Sequence, residues 1–293
     1  SQRPFYYLVI SSLTNIVLDL AFVLLFKWGV IGAALATIIA QGLSVVMVYT
    51  RMLRTDDVYK LVPSKLMKMD GPMLKEIAVL GFPAAIQSSL ISISNLFVQR
   101  YINTFGSAAM AGIGAAKKID RFVGMIAQCL GLSTTTFVSQ NVGAGKYDRA
   151  FGSIRSALVI CAVYLAIVGT VVYFMADTFV RIFIQNEEAG GYGASMVRVM
   201  IPLYFFQVLN NVFANAVRGF GKSFVVMLCS IFGMIGCRQL WLAISFAIRR
   251  SPFNIYLSFP IGAAISVVHL IDIILSRKSG DAPTAKGDEE VAA

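Results

Sequence analysis

The stretch that decides the fold runs from Pro4 to Gln41: PFYYLVISSLTNIVLDLAFVLLFKWGVIGAALATIIAQ. It is two apolar segments separated only by Lys27-Trp28-Gly29. A segment needs about 20 apolar residues to cross roughly 30 Å of hydrocarbon; the first half reaches that length within the stretch and the second by running on to Thr50. Asn15 and Asp19 sit in the first half, one helical turn apart, and Thr37 sits in the second. A carboxylate inside such a helix costs roughly 2.5–3.5 kcal/mol on insertion, so it marks a functional position by default.

The same measure gives eight candidate spans along the chain: 4–26, 29–50, 74–103, 108–139, 152–175, 192–216, 224–247 and 253–275. Composition agrees. The 293 residues are 57% hydrophobic and 14% charged, with a mean hydropathy of +0.75. A soluble domain would carry about 25% charged residues. The expected class is an all-α integral membrane protein. Pro83, following Gly81, predicts a kink in the span 74–103. Cys129, Cys161, Cys229 and Cys237 fall inside apolar segments without CxxC spacing. They read as small packing residues rather than a disulfide or metal framework.

The net charge of +10 is not gathered into one patch, which argues against nucleic acid as a partner. Lys and Arg concentrate instead in alternate breaks. These hold Arg51, Arg54, Lys60, Lys65 and Lys68; then Lys146 and Arg149; then Arg218 and Lys222; then Arg277 and Lys278. The positive-inside rule places those breaks and both chain ends in the cytoplasm. Arg249-Arg250 is the exception, falling outside. Residues 51–73 are the long polar interruption, expected to hold a short surface helix. They divide a two-helix piece, 1–50, from a six-helix bundle, 74–276. Asp56-Asp57 within them reads as a solvated pair with no third ligand for a metal. The tail, 277–293, has the composition of a disordered segment. No cleavable signal peptide is visible; the chain opens on Ser1-Gln2-Arg3-Pro4 directly before a span, the mark of a chain cut from something longer.

An internal repeat is present. Ile31-Gly32-Ala33-Ala34 recurs as Ile261-Gly262-Ala263-Ala264, expected in both copies to open the second helix of a hairpin. Ser12-Leu13 correspond to Ser230-Ile231 in the helices before. Repeats of this kind are typical of secondary transporters. At 1.5 Å per residue, Asp19 and Thr37 lie about 11 and about 12 Å from the outer ends of their spans. They are therefore expected at one level, with Asn15 one turn deeper. A carboxylate, an amide oxygen and a hydroxyl are hard oxygen ligands, suited to a proton or an alkali cation such as Na+. The alternative is a polar packing network. In the second copy the matching positions are Gly233, Cys237 and Val267, so the scaffold repeats and the polar trio does not.

A second group, Lys117, Lys118, Asp120 and Arg121, falls near mid-span. Lys117 and Asp120 have the i,i+3 spacing of an internal salt bridge, static or exchanged during transport. Polar residues also mark three other spans: Gln87, Ser88, Ser92, Asn95 and Gln99, with Arg100 following; Gln207, Asn211 and Asn215 beside Asn210; and Arg238 with Gln239. Helical spacing on single faces implies a water-filled cavity, or else hydrogen bonding between helices. His269, alone near a cytoplasmic end, reads as a packing residue.

With these residues assembled, the sequence resembles the MATE (multidrug and toxic compound extrusion) family of bacterial antiporters. The phrases that carry the resemblance are SSLTNIVLDLAF, GVIGAALAT, LGFPAAIQSSLISISNLFVQRYINTFG, STTTFVSQNVGAGKYDRA and VRGFGKS, in the family's order across residues 1–275. The resemblance implies a two-lobe bundle of twelve helices, of which this chain matches helices five to twelve. It also implies a cation site with an Asn and an Asp on helix five and a Thr on helix six, the positions of Asn15, Asp19 and Thr37. That site's other acidic member belongs to helix one, which has no counterpart here. Some branches place an essential Glu on helix seven. The stretch from Ala84 to Asn103 has none, which leaves Asp120 as the acidic candidate.

The expectation is a multi-pass protein of the bacterial inner membrane, monomeric and without a cofactor. It would export amphiphilic, cationic drugs or toxins in exchange for H+ or Na+. Asn15, Asp19 and Thr37 would couple the ion. Gln87, Ser88, Ser92, Asn95, Gln99, Lys117, Asp120, Arg121, Gln207, Asn211 and Arg238 would line the substrate cavity. One rival is a flippase for lipid-linked sugars, which the basic residues keep open, and another is a non-transporting fragment. A membrane-embedded enzyme is disfavoured, since no HExxH, no nucleophile elbow and no aspartate-rich metal motif is present.

Overall fold

The computed structural model describes residues 2–55, 60–62 and 70–278. Among the described residues it is helical throughout, with no strand. Helix α1 (Gln2–Leu20) continues as a π-helical segment, Ala21–Leu25, and is followed by α2 (Gly29–Arg54). Then come α3 (Gly71–Asn103), α4 (Gly106–Gly143) and α5 (Tyr147–Phe174, with a π-helical segment at Leu165–Gly169). A short α6 (Ala176–Arg181) and the long α7 (Glu187–Gly219) precede α8 (Ser223–Ile248, π-helical over Ile231–Cys237) and α9 (Pro252–Lys278). Seven of these, α1 to α5, α7 and α8, are long and apolar enough to cross a membrane, and α9 adds the apolar stretch Pro252–Val268. Seven of the eight expected spans are there, the eighth, 253–275, falls on α9 with its shorter apolar stretch, and α6 is an addition that the apolar pattern did not announce. The expected surface helix and the Asp56-Asp57 pair of the 51–73 interruption, the tail from Ser279 and the His269 side chain lie outside the described residues.

The chain forms two compact units, Ser1–Leu74 and Lys75–Ala293. The first holds the α1–α2 hairpin. Gly32, Ala36 and Ala40 are buried at four-residue spacing and make a seam of small residues on α2, the device that lets two helices approach in lipid. A Cβ at Gly32 would stand 2.9 Å from that of Phe22. Ser11 closes the seam by donating its hydroxyl to the Ala40 carbonyl at 2.6 Å. At the turn, Trp28 stacks on Phe22 with ring centres 5.3 Å apart.

In the second unit α4 and α7 lie side by side and parallel. Gly112 meets Ala189, Gly124 meets Tyr204, Gly131 meets Asn211 and Gly219 meets Val138, so both helices advance together. A parallel pair requires a helix between them to bring the chain back, and α5 does so. Both end in left-handed turns. Gly145 (φ 70°) and Gly221 (φ 79°) let Lys146 and Lys222 bond back to the carbonyls of Asn141 and Val217, a Schellman arrangement that Gly adopts without strain. The two turns share one end of the bundle, in keeping with their shared basic residues. Helix α9 packs against α7 and α8, while α3 runs through Pro83 without ending.

The repeat needs one correction. Ile31 stands two residues into α2, but Ile261 stands nine residues into α9 rather than at its opening. The physical reason is the start signal at Ser251-Pro252. The Ser251 hydroxyl accepts from the Phe253 amide at 3.3 Å, and proline is favoured at a first helical position. The packing role of the motif is nonetheless shared. A Cβ at Gly262 would stand 3.1 Å from the Gly233 carbonyl oxygen, so this glycine, like Gly32, marks a close crossing with the preceding helix.

Candidate functional site

In the first unit, Asn15 and Asp19 lie on α1 and Thr37 on α2. The Asn15 amide donates to the Thr37 hydroxyl at 3.5 Å, and Thr37 donates to the Ala33 carbonyl at 2.9 Å. Asp19 stands one turn from Asn15, towards the α1–α2 turn. Its Oδ1 is buried and no donor among the described residues reaches it. The level differs from expectation: Asn15, not Asp19, lies opposite Thr37. The π-helical Ala21–Leu25 fits more residues per turn than an α-helix, so α1 climbs to the turn in less height than a uniform rise predicts. The trio remains one cluster. A buried carboxylate oxygen without a donor is costly unless it holds a proton or faces a cation, and Asn15, which holds Thr37, stands one helical turn along α1 from it.

In the second unit, α3 carries two polar faces. Gln87 and Ser94 share a buried face with Val98 and Ile102, whereas Ser88, Ser92 and Asn95 are exposed. Gln87 belongs to a network spanning four helices. Its Nε2 donates to Ser230 at 2.6 Å, and Arg218 Nη2 donates to its Oε1 at 2.6 Å. Arg218 Nη1 also reaches the Asn215 Oδ1 at 3.3 Å. Thr135 donates to the Asn215 carbonyl at 2.8 Å, and the Asn215 amide donates to the Asn211 carbonyl at 2.8 Å. The space for this comes from Gly131, where a Cβ would stand 2.1 Å from Asn211 Oδ1.

Arg238 is 3% exposed. It donates to the Ser94 hydroxyl and lies over the Phe259 ring at 5.6 Å, but its Nε has no partner and no carboxylate pairs with it among the described residues. Gln239 joins the same serine, donating to its hydroxyl at 2.8 Å. Gln207 likewise keeps a buried amide oxygen without a donor.

The expected Lys117–Asp120 salt bridge does not form. Lys117 reaches across to α3 and donates to Gln99 Oε1 at 3.1 Å, while Gln99 donates to Asn103 at 3.0 Å. The neighbouring helix offers Lys117 an acceptor that holds its amine away from its own helix. Asp120 is half-buried, and its backbone carbonyl accepts the Tyr204 hydroxyl at 3.4 Å. Lys118 turns to the ring of Phe183, 5.1 Å away, and Arg121 is exposed. The ion pair that does form among the described residues is Arg198 with Asp177. Ser94, Thr135, Tyr204, Arg218 and Ser230 were missing from the expected site. Gly124 and Gly131, seven residues apart on α4, were the available signal: each leaves room for a polar side chain of α7.

Comparison with known proteins covers most of the chain. The MatE family model matches residues 83–240. The probable multidrug resistance protein YoeA of Bacillus subtilis is 26% identical over 277 residues, which cover 92% of this chain and 59% of that protein. The probable multidrug resistance protein NorM of Thermotoga maritima is 24% identical, over 80% of this chain and 51% of its own length. This chain thus spans little more than half the length of these relatives. Among solved structures, the MATE transporter VcmN of Vibrio cholerae in its bent form superposes with a TM-score of 0.81 at 17% identity, covering 93% of this chain and 62% of that one. A MOP superfamily transporter from Pyrococcus furiosus superposes with a TM-score of 0.83 at 19% identity, covering 92% and 61%.

Proposed function

Because the chain belongs to the MatE family, a family of bacterial multi-pass inner-membrane transporters and not of enzymes, we propose that it serves secondary-active export of amphiphilic small molecules. Two curated relatives are named as multidrug resistance proteins, which supports this reading. The export is coupled to H+ or Na+ entering at Asn15, Asp19 and Thr37. The carboxylate oxygen of Asp19, buried and without a donor, is the observation that carries the proposal. A proton or a small cation satisfies it, and either must leave again for the cycle to turn.

The test is efflux from everted vesicles of cells that express the complete protein, under imposed pH or Na+ gradients. Asp19→Asn abolishes gradient-driven efflux at unchanged membrane abundance. Efflux equal to that of the wild type would sink the assignment, and the gradient that drives transport names the ion.

The substrate's charge has two readings. A cationic amphiphile fits Asp120, the acidic group at mid-span in the second unit. A substrate with an acidic group, such as a lipid-linked sugar phosphate, is favoured by Arg238, a buried guanidinium that no carboxylate neutralises among the described residues. Two fluorescent amphiphiles of the same skeleton and opposite charge, offered to the same vesicles, separate the two.

A further inference from the structure

Away from these clusters, α4 and α5 leave between them a groove of about 440 Å³. On α5 the residues Arg149, Ser153, Ser156 and Ile160 line it in one stripe at helical spacing. Phe137 of α4 borders the other side, and Gly152 gives the groove depth, since a Cβ there would meet nothing within 4 Å.

The groove is apolar at one end and charged at the other. Arg149 is exposed and makes no hydrogen bond or ion pair among the described residues. Lys146 stands exposed nearby, beside the carboxylate of Asp148. The Ser153 hydroxyl donates to the Ala150 carbonyl at 2.6 Å, and among the described residues no donor reaches it and Ser156 has no partner. Depth orders these groups: Ser156 lies about 10 Å and Ile160 about 16 Å along the helix from Arg149.

We propose that this groove seats one phospholipid of the cytoplasmic leaflet with a net negative headgroup. The order of groups matches that of the lipid. Arg149 meets the phosphate, the two serines lie where the glycerol esters come, and an acyl chain runs between Phe137 and Ile160. A net negative headgroup is favoured over a zwitterionic one because the latter would present its own cation to Lys146. The bound lipid braces α4, the helix that carries Lys117 and Asp120. This site is independent of the transport reading.

The test uses the purified protein, delipidated in detergent. Native mass spectrometry and thermal melting are read with added phosphatidylglycerol or phosphatidylcholine of the same acyl chains. The wild type retains phosphatidylglycerol about fivefold more tightly, the worth of one interfacial basic residue. Arg149→Gln removes that preference, and Arg155→Gln, off the groove, keeps it. Gly152→Leu fills the seat and weakens retention of both lipids. Equal retention by the wild type, loss of preference in Arg155→Gln as complete as in Arg149→Gln, or undiminished retention in Gly152→Leu each overturns the proposal.

Discussion

The Asn15 amide and the Thr37 hydroxyl meet at 3.5 Å across the α1–α2 hairpin, beside Asp19, whose Oδ1 no donor among the described residues reaches. Two polar side chains are thus held against one another by the hairpin, while the acid beside them keeps an acceptor oxygen unused among the described residues. The small-residue seam of Gly32, Ala36 and Ala40 sets this spacing, because bulkier residues would push α1 away.

Thr37→Val removes an oxygen from this cluster without changing its shape. Loss of one hydrogen-bonding oxygen is worth about 1 kcal/mol. Half-saturation by the coupling ion should therefore rise severalfold, with maximal efflux retained. Thr37→Ser, which keeps the hydroxyl, should restore the wild-type value. Titration of transport against Na+ or proton concentration measures both.

Arg218 and Gln87 should behave as a coupled pair. Arg218→Ala leaves the buried Gln87 oxygen without its donor, and Gln87→Ala leaves Arg218 without its acceptor. Each alone should destabilise by about 1–3 kcal/mol. The double variant should cost less than the sum, with a coupling of about 1 kcal/mol. Thermal melting of the four proteins in detergent closes the cycle; additive losses would mean that the contact carries no energy.

Gly112 and Gly114 offer a contrast two residues apart. A Cβ at Gly112 would stand 2.0 Å from the Ala189 carbonyl oxygen, a backbone atom that cannot step aside, whereas one at Gly114 meets nothing within 4 Å. Gly112→Ala should force α4 from α7 and cost about 1–3 kcal/mol or more. Gly114→Ala should be neutral or stabilising by up to about 1 kcal/mol, the difference in helix propensity. Melting temperatures decide it.

Much of this molecule was legible before any coordinates. The eight spans followed from apolar length, and their breaks from Gly, Pro and charge. Asn15, Asp19 and Thr37 stood out because polar groups are rare in such segments. Their relative height differs from a uniform helical rise, since nothing in the Ala21–Leu25 run announces a π-helical turn. The Lys117–Asp120 pairing also failed: spacing along one helix shows which groups can meet, and Gln99 on another helix offered a competing acceptor. Arg218 read as one more topogenic charge at a break, yet it ties Gln87 to Asn215.

The sequence by itself determined what is local: membrane character, the order of the apolar segments, the hairpin with its acid, and the gathering of basic residues in alternate breaks. Each depends on roughly 20 consecutive residues and the cost of leaving them in water or lipid. Only the tertiary structure decided which polar groups meet. Gln87 finds Arg218 across 131 residues and Ser94 finds Arg238 across 144. Those partners are chosen where glycines let helices close in, at Gly112, Gly124 and Gly131 on α4. In lipid, close approach between helices is set by the shape of their surfaces rather than by apolar burial, and that shape exists only once the helices are packed.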